Sequence, residues 1–204
     1  MAEHVSNMTV RQVINSLFTS NTWVLEFSSQ LWLVDCGDTD RALQLSGNKP
    51  VAGVLLTHGH FDHIYGLNRL LNYYPNVPIY CNASCQAALV DDKANMSRYH
   101  EQSFVLEQPD NIHLIDEGDV IPLSDDDAAQ VFATPGHHPS CLSFLIGKHL
   151  FTGDAYIPET KVVTILPGGD KLQAVRSVQR ILQLAHQRII YPGHGDAINA
   201  LITS

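Results

Sequence analysis

The amino-acid sequence predicts an α/β fold in which two β-sheets pack face to face with helices on their outer sides. Three observations predict it. Strand-like and helix-like stretches alternate along the chain. They gather into two β-rich halves, each trailed by helical spacing. Residues 51–57 form a continuous apolar run, the pattern of a strand buried on both faces.

Residues 9–15, 22–27 and 31–35 read as strands parted by turn residues, with Trp23 and Trp32 as core positions. After the apolar run, Ile64, Leu67, Leu70 and Leu71 have helical spacing, so a helix is expected over 64–74, stopped by Pro75. Ile79–Cys81 is a short strand. Asn82 is placed to cap a helix over 83–90. Residues 91–109 are polar and read as a loop or lid with some helix. Strand signals return at 112–115, 130–134, 141–146, 149–152 and 161–165. Lys171–Leu184 is helical, with apolar residues at Leu172, Val175, Val178, Ile181 and Leu182. Residues 188–191 make a last strand before Pro192-Gly193-His194-Gly195.

The chain has 204 residues, 45% apolar and 16% charged, which suits a single globular domain over residues 1–204. No apolar run approaches the roughly 18 residues a membrane span needs. The first nine residues are polar and lack a signal-peptide core, so a cytoplasmic protein without a membrane partner is expected. A net charge of −9 repels phosphate backbones and argues against nucleic acid as a partner. Asp125, Asp126 and Asp127 read as a solvated turn. Four cysteines fall without a Cys-x-x-Cys pair, as expected of small buried thiols.

Eleven histidines are the unusual entry in the composition, and several are clustered. Thr57-His58-Gly59-His60-Phe61-Asp62-His63 places three imidazoles and a carboxylate at the end of the apolar strand. These are natural ligands of zinc, iron or manganese. A tight turn there can aim His58 and His60 at one ion and Asp62 and His63 at another. Thr134-Pro135-Gly136-His137-His138-Pro139 also follows a strand, with His137 as candidate ligand and His138 as a neighbour lining the pocket. Phe151-Thr152-Gly153-Asp154 and Tyr191-Pro192-Gly193-His194 complete the series. Taken singly, these three would pass for ordinary turns. Taken together, they supply the three ligands the first motif lacks, with Asp154 able to bridge two ions. The remaining histidines, His4, His100, His113, His149 and His186, are scattered and suit surface or satisfied core positions.

In this order and spacing the four motifs resemble the metallo-β-lactamase superfamily, and within it the short glyoxalase-II-like hydrolases. Asn21-Thr22, Val34-Asp35-Cys36-Gly37 and Leu166-Pro167-Gly168-Gly169-Asp170 extend the resemblance over nearly the whole chain. It implies a four-layer αβ/βα sandwich with metals at one edge of the sheets. It implies His58, His60 and His137 on one metal, Asp62, His63 and His194 on the second, and Asp154 between them. The implied cofactors are two divalent ions, zinc first, with iron or manganese also suited. The chain departs from the family's common run where it has His138, Ser140 and Cys141, and has Tyr65 where glycine is frequent. The helical domain that binds glutathione in true glyoxalase II is expected to be missing.

The chemistry expected is hydrolysis of a small molecule. A hydroxide shared by two ions forms near neutral pH and attacks a carbonyl, most naturally of a thioester or ester. Asp62 and Asp154 are the candidate catalytic carboxylates, Asp62 as a proton acceptor. No Gly-x-Ser-x-Gly elbow offers a rival nucleophile. The rival readings are an iron oxygenase of the persulfide-dioxygenase type, a lactonase or β-lactamase, and a non-catalytic metal-binding module.

Overall fold

In the computed structural model, which describes residues 8–45, 47 and 49–199, the chain forms two six-stranded sheets. In the first, β1 (Thr9–Ile14), β2 (Asn21–Glu26) and β3 (Leu31–Val34) pair antiparallel. The parallel strands β4 (Val51–Leu55), β5 (Ile79–Cys81) and β6 (Ile112–Leu114) extend it in sequence order. The second sheet has the order β12-β11-β10-β9-β8-β7. Its strands are β7 (Val120–Pro122), β8 (Ala128–Ala133), β9 (Leu142–Ile146), β10 (His149–Gly153), β11 (Ile189–Pro192) and β12 (Ile198–Asn199). There β10 and β11 run parallel and the remaining pairs are antiparallel.

Three cores separate the layers. Trp23, Leu25, Trp32, Val34 and Leu55 of the first sheet meet Val131, Leu142, Phe144 and Phe151 of the second. The other face of the first sheet, through Val24, Leu33, Val54 and Leu56, is covered by Leu67, Leu70, Leu71, Cys85 and Leu89. Those residues belong to α3 (Leu67–Tyr73) and α4 (Ala83–Leu89); α1 (Thr39–Gln44) adds Ala42. Behind the second sheet, Leu145, Leu150 and Ile190 receive Ile181 of α5 (Lys171–Leu184) and Ala185 just after it. The result is a four-layer αβ/βα sandwich. Strands β3, β9 and β10 are buried along their whole length because both faces carry apolar side chains against another layer.

Several expectations need correction. Residues 161–165 form no strand; their backbone is irregular, Ile165 is 92% exposed, and the Val163 carbonyl accepts a hydrogen bond from His137 instead of a ladder partner. The expected helix over 64–74 is two helices, α2 (Phe61–Ile64) and α3, broken around Gly66. A Cβ on Gly66 would stand 1.9 Å from the Gly37 carbonyl, so this close approach displaces regular helix. On α5 the buried positions are Ala174, Ser177 and Ile181, whereas Leu172, Val175 and Leu182 face solvent. Small residues let the helix lie close to the sheet, which apolar spacing alone misjudged. Helix α1 and the short strands β7 and β12 were not foreseen. Residues 91–109 are a loop with one 3-10 turn, Ser97–Tyr99, pinned by Asn95, whose amide donates to the Ala88 and Phe104 carbonyls. His4 lies outside the described residues.

Strands β3, β4, β8, β10 and β11 all end on the same edge of the sandwich. Backbone bonds lock their loops: Leu142 N–H to the Thr57 carbonyl at 2.8 Å between the sheets, and Gly193 N–H to the Gly153 carbonyl at 2.9 Å within the second. The rim is closed by Asn21 N–H on the Gly193 carbonyl at 2.7 Å and by the Trp23 indole on the Pro192 carbonyl at 2.9 Å.

Candidate metal centre

All seven predicted ligands meet at this edge. Side-chain ligand atoms of His58, His60 and His137 lie within 4.8 Å of one another, and so do those of Asp62, His63 and His194. Asp154 joins the two groups. Its Oδ2 is 3.4 Å from His194 Nε2 and 3.7 Å from His137 Nε2, and its Oδ1 is 3.5 Å from His63 Nε2. Asp62 Oδ2 lies 3.4 Å from both His63 Nε2 and His194 Nε2.

Hydrogen bonds from the far ring nitrogens orient the imidazoles. His137 donates from Nδ1 to the Val163 carbonyl at 2.9 Å, and His194 donates to the Phe18 carbonyl at 3.1 Å. Phe18 and Thr19 both hold a left-handed backbone (φ 53 each), which turns that carbonyl onto the ring. Asp35, also left-handed at φ 60, orients two more. Its Oδ2 accepts from His63 Nδ1 at 2.9 Å and from the Thr57 hydroxyl at 2.8 Å, while Oδ1 accepts the Thr57 N–H at 2.8 Å. The Thr57 oxygen, having given its proton to Asp35, accepts from His58 Nδ1 at 3.1 Å. One buried carboxylate therefore engages the Nδ1 side of His58 and His63 and leaves Nε2 as the nitrogen through which each ring can meet a cation. Asp35, His58 and His63 are also close enough to group together. The Asp35 oxygens are already occupied by three donors, which makes it an orienting residue rather than a ligand.

The residues fit metal ions on a direct physical test. His58 Nε2, His60 Nε2, His63 Nε2 and Asp154 Oδ1 are buried and have no hydrogen-bond partner. Each such atom costs roughly 1–3 kcal/mol if left unsatisfied. Those on His58, His63 and Asp154 lie in the seat, so the fold gains from cations that use them; His60 turns its Nδ1 rather than its Nε2 to His137. His60 Nδ1 and His137 Nε2 face each other at 2.9 Å, close to the about 3.3 Å between two nitrogens on one tetrahedral zinc with 2.0–2.1 Å bonds.

The two halves differ electrically. Burial, followed by the neighbouring histidines, pushes His58 well below the usual imidazole range and His60 down to about 3. Burial also opposes charge on His63 and His194. Around His63, Asp62, Asp154 and Asp35 outweigh it and raise the pKa to about 9; around His194, Asp154 and Asp62 raise it to about 10. Burial acts to raise Asp154, but His63, His194 and His137 hold it well below the carboxylate range. One half thus holds His58 and His60 as neutral donors, and the other is a charge-balanced cluster of acids and protonated imidazoles. His194 is 24% exposed and His58 and His63 are fully enclosed, so the site opens on the His194 side.

Glycines make the convergence possible. A Cβ on Gly193 would stand 2.0 Å from Asp154 Oδ1, and one on Gly136 (φ +135) 2.2 Å from the Ala174 backbone nitrogen. His138 is not a ligand. Burial and His137 lower it to about 4, and its Nδ1 bonds Ser140 Oγ at 2.6 Å. Of the scattered histidines, His149 bonds the Tyr191 hydroxyl at 2.8 Å, His113 packs on Tyr80, and His100 sits 5.3 Å from both Phe18 and Phe61. Sequence reasoning expected backbone carbonyls and aspartates to hold the far ring nitrogens, but it singled out neither Asp35 and Thr57 nor the carbonyls of Phe18 and Val163. The signal for Asp35 was the one that marked Asp154, a carboxylate directly after an apolar strand.

The metallo-beta-lactamase superfamily model matches residues 16–194, and the chain belongs to that superfamily. It is a superfamily of metallo-hydrolases, and its members bind metal ions. It is similar to a probable metallo-hydrolase of Streptococcus pyogenes, 28% identical over 93% of this chain and 85% of the relative. It is also similar to the hydroxyacylglutathione hydrolase of Pectobacterium atrosepticum, 26% identical over 92% of this chain and 66% of the relative. Among solved structures, the BLEG-1 B3 metallo-beta-lactamase shares the fold with a TM-score of 0.84, 26% identity and 94% coverage of both chains.

Proposed function

We propose that the chain hydrolyses the carbonyl bond of a small acyl thioester or ester, using two divalent cations, zinc foremost. The observation that carries this reading is the cluster of buried, partnerless atoms on His58, His63 and Asp154. Two groups of three ligands and a carboxylate between them suit a pair of ions rather than one. Held there, the ions would supply hydroxide at neutral pH and polarise a carbonyl.

The chain's own residues do the rest. His58, His60 and His137 form one half of the seat, and Asp62, His63 and His194 the other, with Asp154 spanning both. Asp62, at the more open half, can accept the proton released when water is activated. Asp35 and the Val163 and Phe18 carbonyls hold the far ring nitrogens of His63, His137 and His194, so the opposite nitrogen of each ring is the one offered to a cation. The similarity to a hydroxyacylglutathione hydrolase supports a thioester over other carbonyls. A net charge of −9 supports a small-molecule substrate over nucleic acid, and four buried free cysteines suit the cytoplasm. Among the described residues no helix is long and apolar enough to cross a membrane.

The test is elemental analysis of the purified protein with a panel of acyl thioesters, esters, lactones and β-lactams. The reading expects about two metal equivalents and highest kcat/KM on a thioester or ester. It fails if the metal-loaded protein turns over only β-lactams or lactones, or if Asp154→Ala hydrolyses thioesters at the wild-type rate.

A further inference from the structure

His138 stands where the family's common run has threonine, and the seven-ligand seat does not use it. It is 7% exposed, and its ring lies 4.8 Å from the His60 ring and 6.5 Å from the His58 ring. Its inner edge is fully engaged. The backbone N–H of Ser140 donates to His138 Nδ1 at 3.2 Å, so Nδ1 is an acceptor. The Ser140 Oγ itself accepts the Gly59 N–H at 3.1 Å, leaving its hydroxyl proton to point at the same Nδ1, 2.6 Å away. Nδ1 thus carries a lone pair, and the ring proton belongs to Nε2.

Among the described residues that second nitrogen has no hydrogen-bond partner, yet it is not one of the buried, stranded atoms, so it keeps an open side. The neighbouring ring edge faces Gly168, where even an added Cβ would stay 3.8 Å from His138 Cδ2. A nearly buried N–H is thus kept free beside the three-histidine half of the seat.

We propose that His138 donates a hydrogen bond from Nε2–H to the carbonyl oxygen of the bound acyl substrate, strengthening as that oxygen gains negative charge. No proton is transferred; the donor stays on Nε2 throughout. This rests on the hydrolase reading above. The Ser140–Gly59 pair is the positioning device, since it fixes both the tautomer and the ring plane before substrate arrives. A neutral donor of this kind favours an oxyanion over the ground-state carbonyl, so it acts on kcat more than on KM.

Two variants separate this role from a structural one. His138→Asn keeps an acceptor near the Nδ1 position and deletes the outer donor; His138→Gln keeps a donor near Nε2 and deletes the inner acceptor. With a p-nitrophenyl acetate and acetyl-thioester pair, H138N should lower kcat at least about tenfold at unchanged KM, and H138Q should stay within about threefold. A purely structural histidine gives the reverse ranking, which would overturn the proposal, as would wild-type kcat in H138N. Nitrogen-15 spectra of the zinc-loaded protein give a readout independent of turnover. They should show His138 protonated at Nε2 and bare at Nδ1; the other tautomer refutes the assignment. Acetate, as a carboxylate probe, should bind zinc-loaded H138N about tenfold more weakly than H138Q or wild type, and equal binding also refutes it. If the wild type hydrolyses nothing on the panel, the hydrolase reading falls, while the spectra and acetate binding still decide the donor.

Discussion

Replacing Asp35 by Asn should disable metal binding while sparing the fold. The carboxylate accepts three hydrogen bonds, from Thr57 N–H, the Thr57 hydroxyl and His63 Nδ1–H, all between 2.8 and 2.9 Å. An amide has the same shape and also tolerates the left-handed backbone at φ 60. Its oxygen must stay on the Thr57 N–H, because two donors cannot face each other. The amide nitrogen then occupies the Oδ2 position and donates where the carboxylate accepted. His63 must accept at Nδ1, which moves its proton to Nε2. Thr57 must turn its hydroxyl proton toward His58 Nδ1, which moves that ring's proton to Nε2 as well. One substitution thus blocks a metal-facing nitrogen in each half of the seat. Loss of an outer hydrogen bond typically costs 10–100-fold in metal affinity, and here one is lost in each half. The proton moved to His58 Nε2 has no acceptor, but that atom was already buried without a partner, so the metal-free protein should lose only roughly 1–3 kcal/mol. Competition with a chromophoric chelator measures zinc affinity, and thermal unfolding of the metal-free protein measures stability. Two zinc equivalents bound by D35N with wild-type affinity would show that Asp35 does not set these tautomers.

Other substitutions probe the scaffold. Gly193→Ala puts a Cβ 2.0 Å from Asp154 Oδ1 and 2.9 Å from the Gly153 carbonyl carbon, so Asp154 must move. A displacement near 1 Å should cut kcat by about a hundredfold, measured on whichever substrate the wild type prefers. Asp170 caps α5 by accepting the Leu172 and Gln173 N–H groups at 2.8 and 2.9 Å. Asp170→Ala should cost about 1 kcal/mol, a fall of roughly 2–4 °C in Tm by calorimetry.

The sequence made the layers and the ligands legible for different reasons. Strands β3, β4, β9 and β10 stood out because burial on both faces forces unbroken apolar runs. The ligands stood out because imidazoles and carboxylates clustered after those runs have few other uses. What stayed hidden depends on contacts distant in the chain. The break at Gly66 exists because Gly37, 29 positions earlier, crowds it. Residues 161–165 alternate like a strand, but their decisive bond goes to an imidazole rather than to a neighbouring strand. Asp35 and Thr57 are 22 residues apart, and their role appears only when β3 and β4 lie side by side.

The unequal charging of the two halves implies that metal loading is also unequal in protons. His58 and His60 are held neutral by burial and neighbouring rings, so a cation seated on them displaces no proton near pH 7. His63 and His194 oppose burial through Asp62 and Asp154 and keep their protons up to about 9 and about 10. A cation in that half must expel both. Zinc titration at pH 7 in weak buffer with an indicator dye should therefore release about two protons from the half built from Asp62, His63 and His194, besides the one given up by metal-bound water. Near pH 10.5 most of the histidine contribution should be gone. The same raised pKa values have a consequence for the metal-free fold. Because the folded state binds these protons more tightly than the unfolded chain, their stabilisation is complete below about 6.5, the unfolded histidine value. It is lost as pH rises through about 9 to about 10. Metal-free Tm should fall across that window, and zinc, which replaces the protons, should flatten the fall. Zinc binding at pH 7 without proton release would mean that the carboxylates do not charge these two histidines, and the electrical division of the site would be wrong.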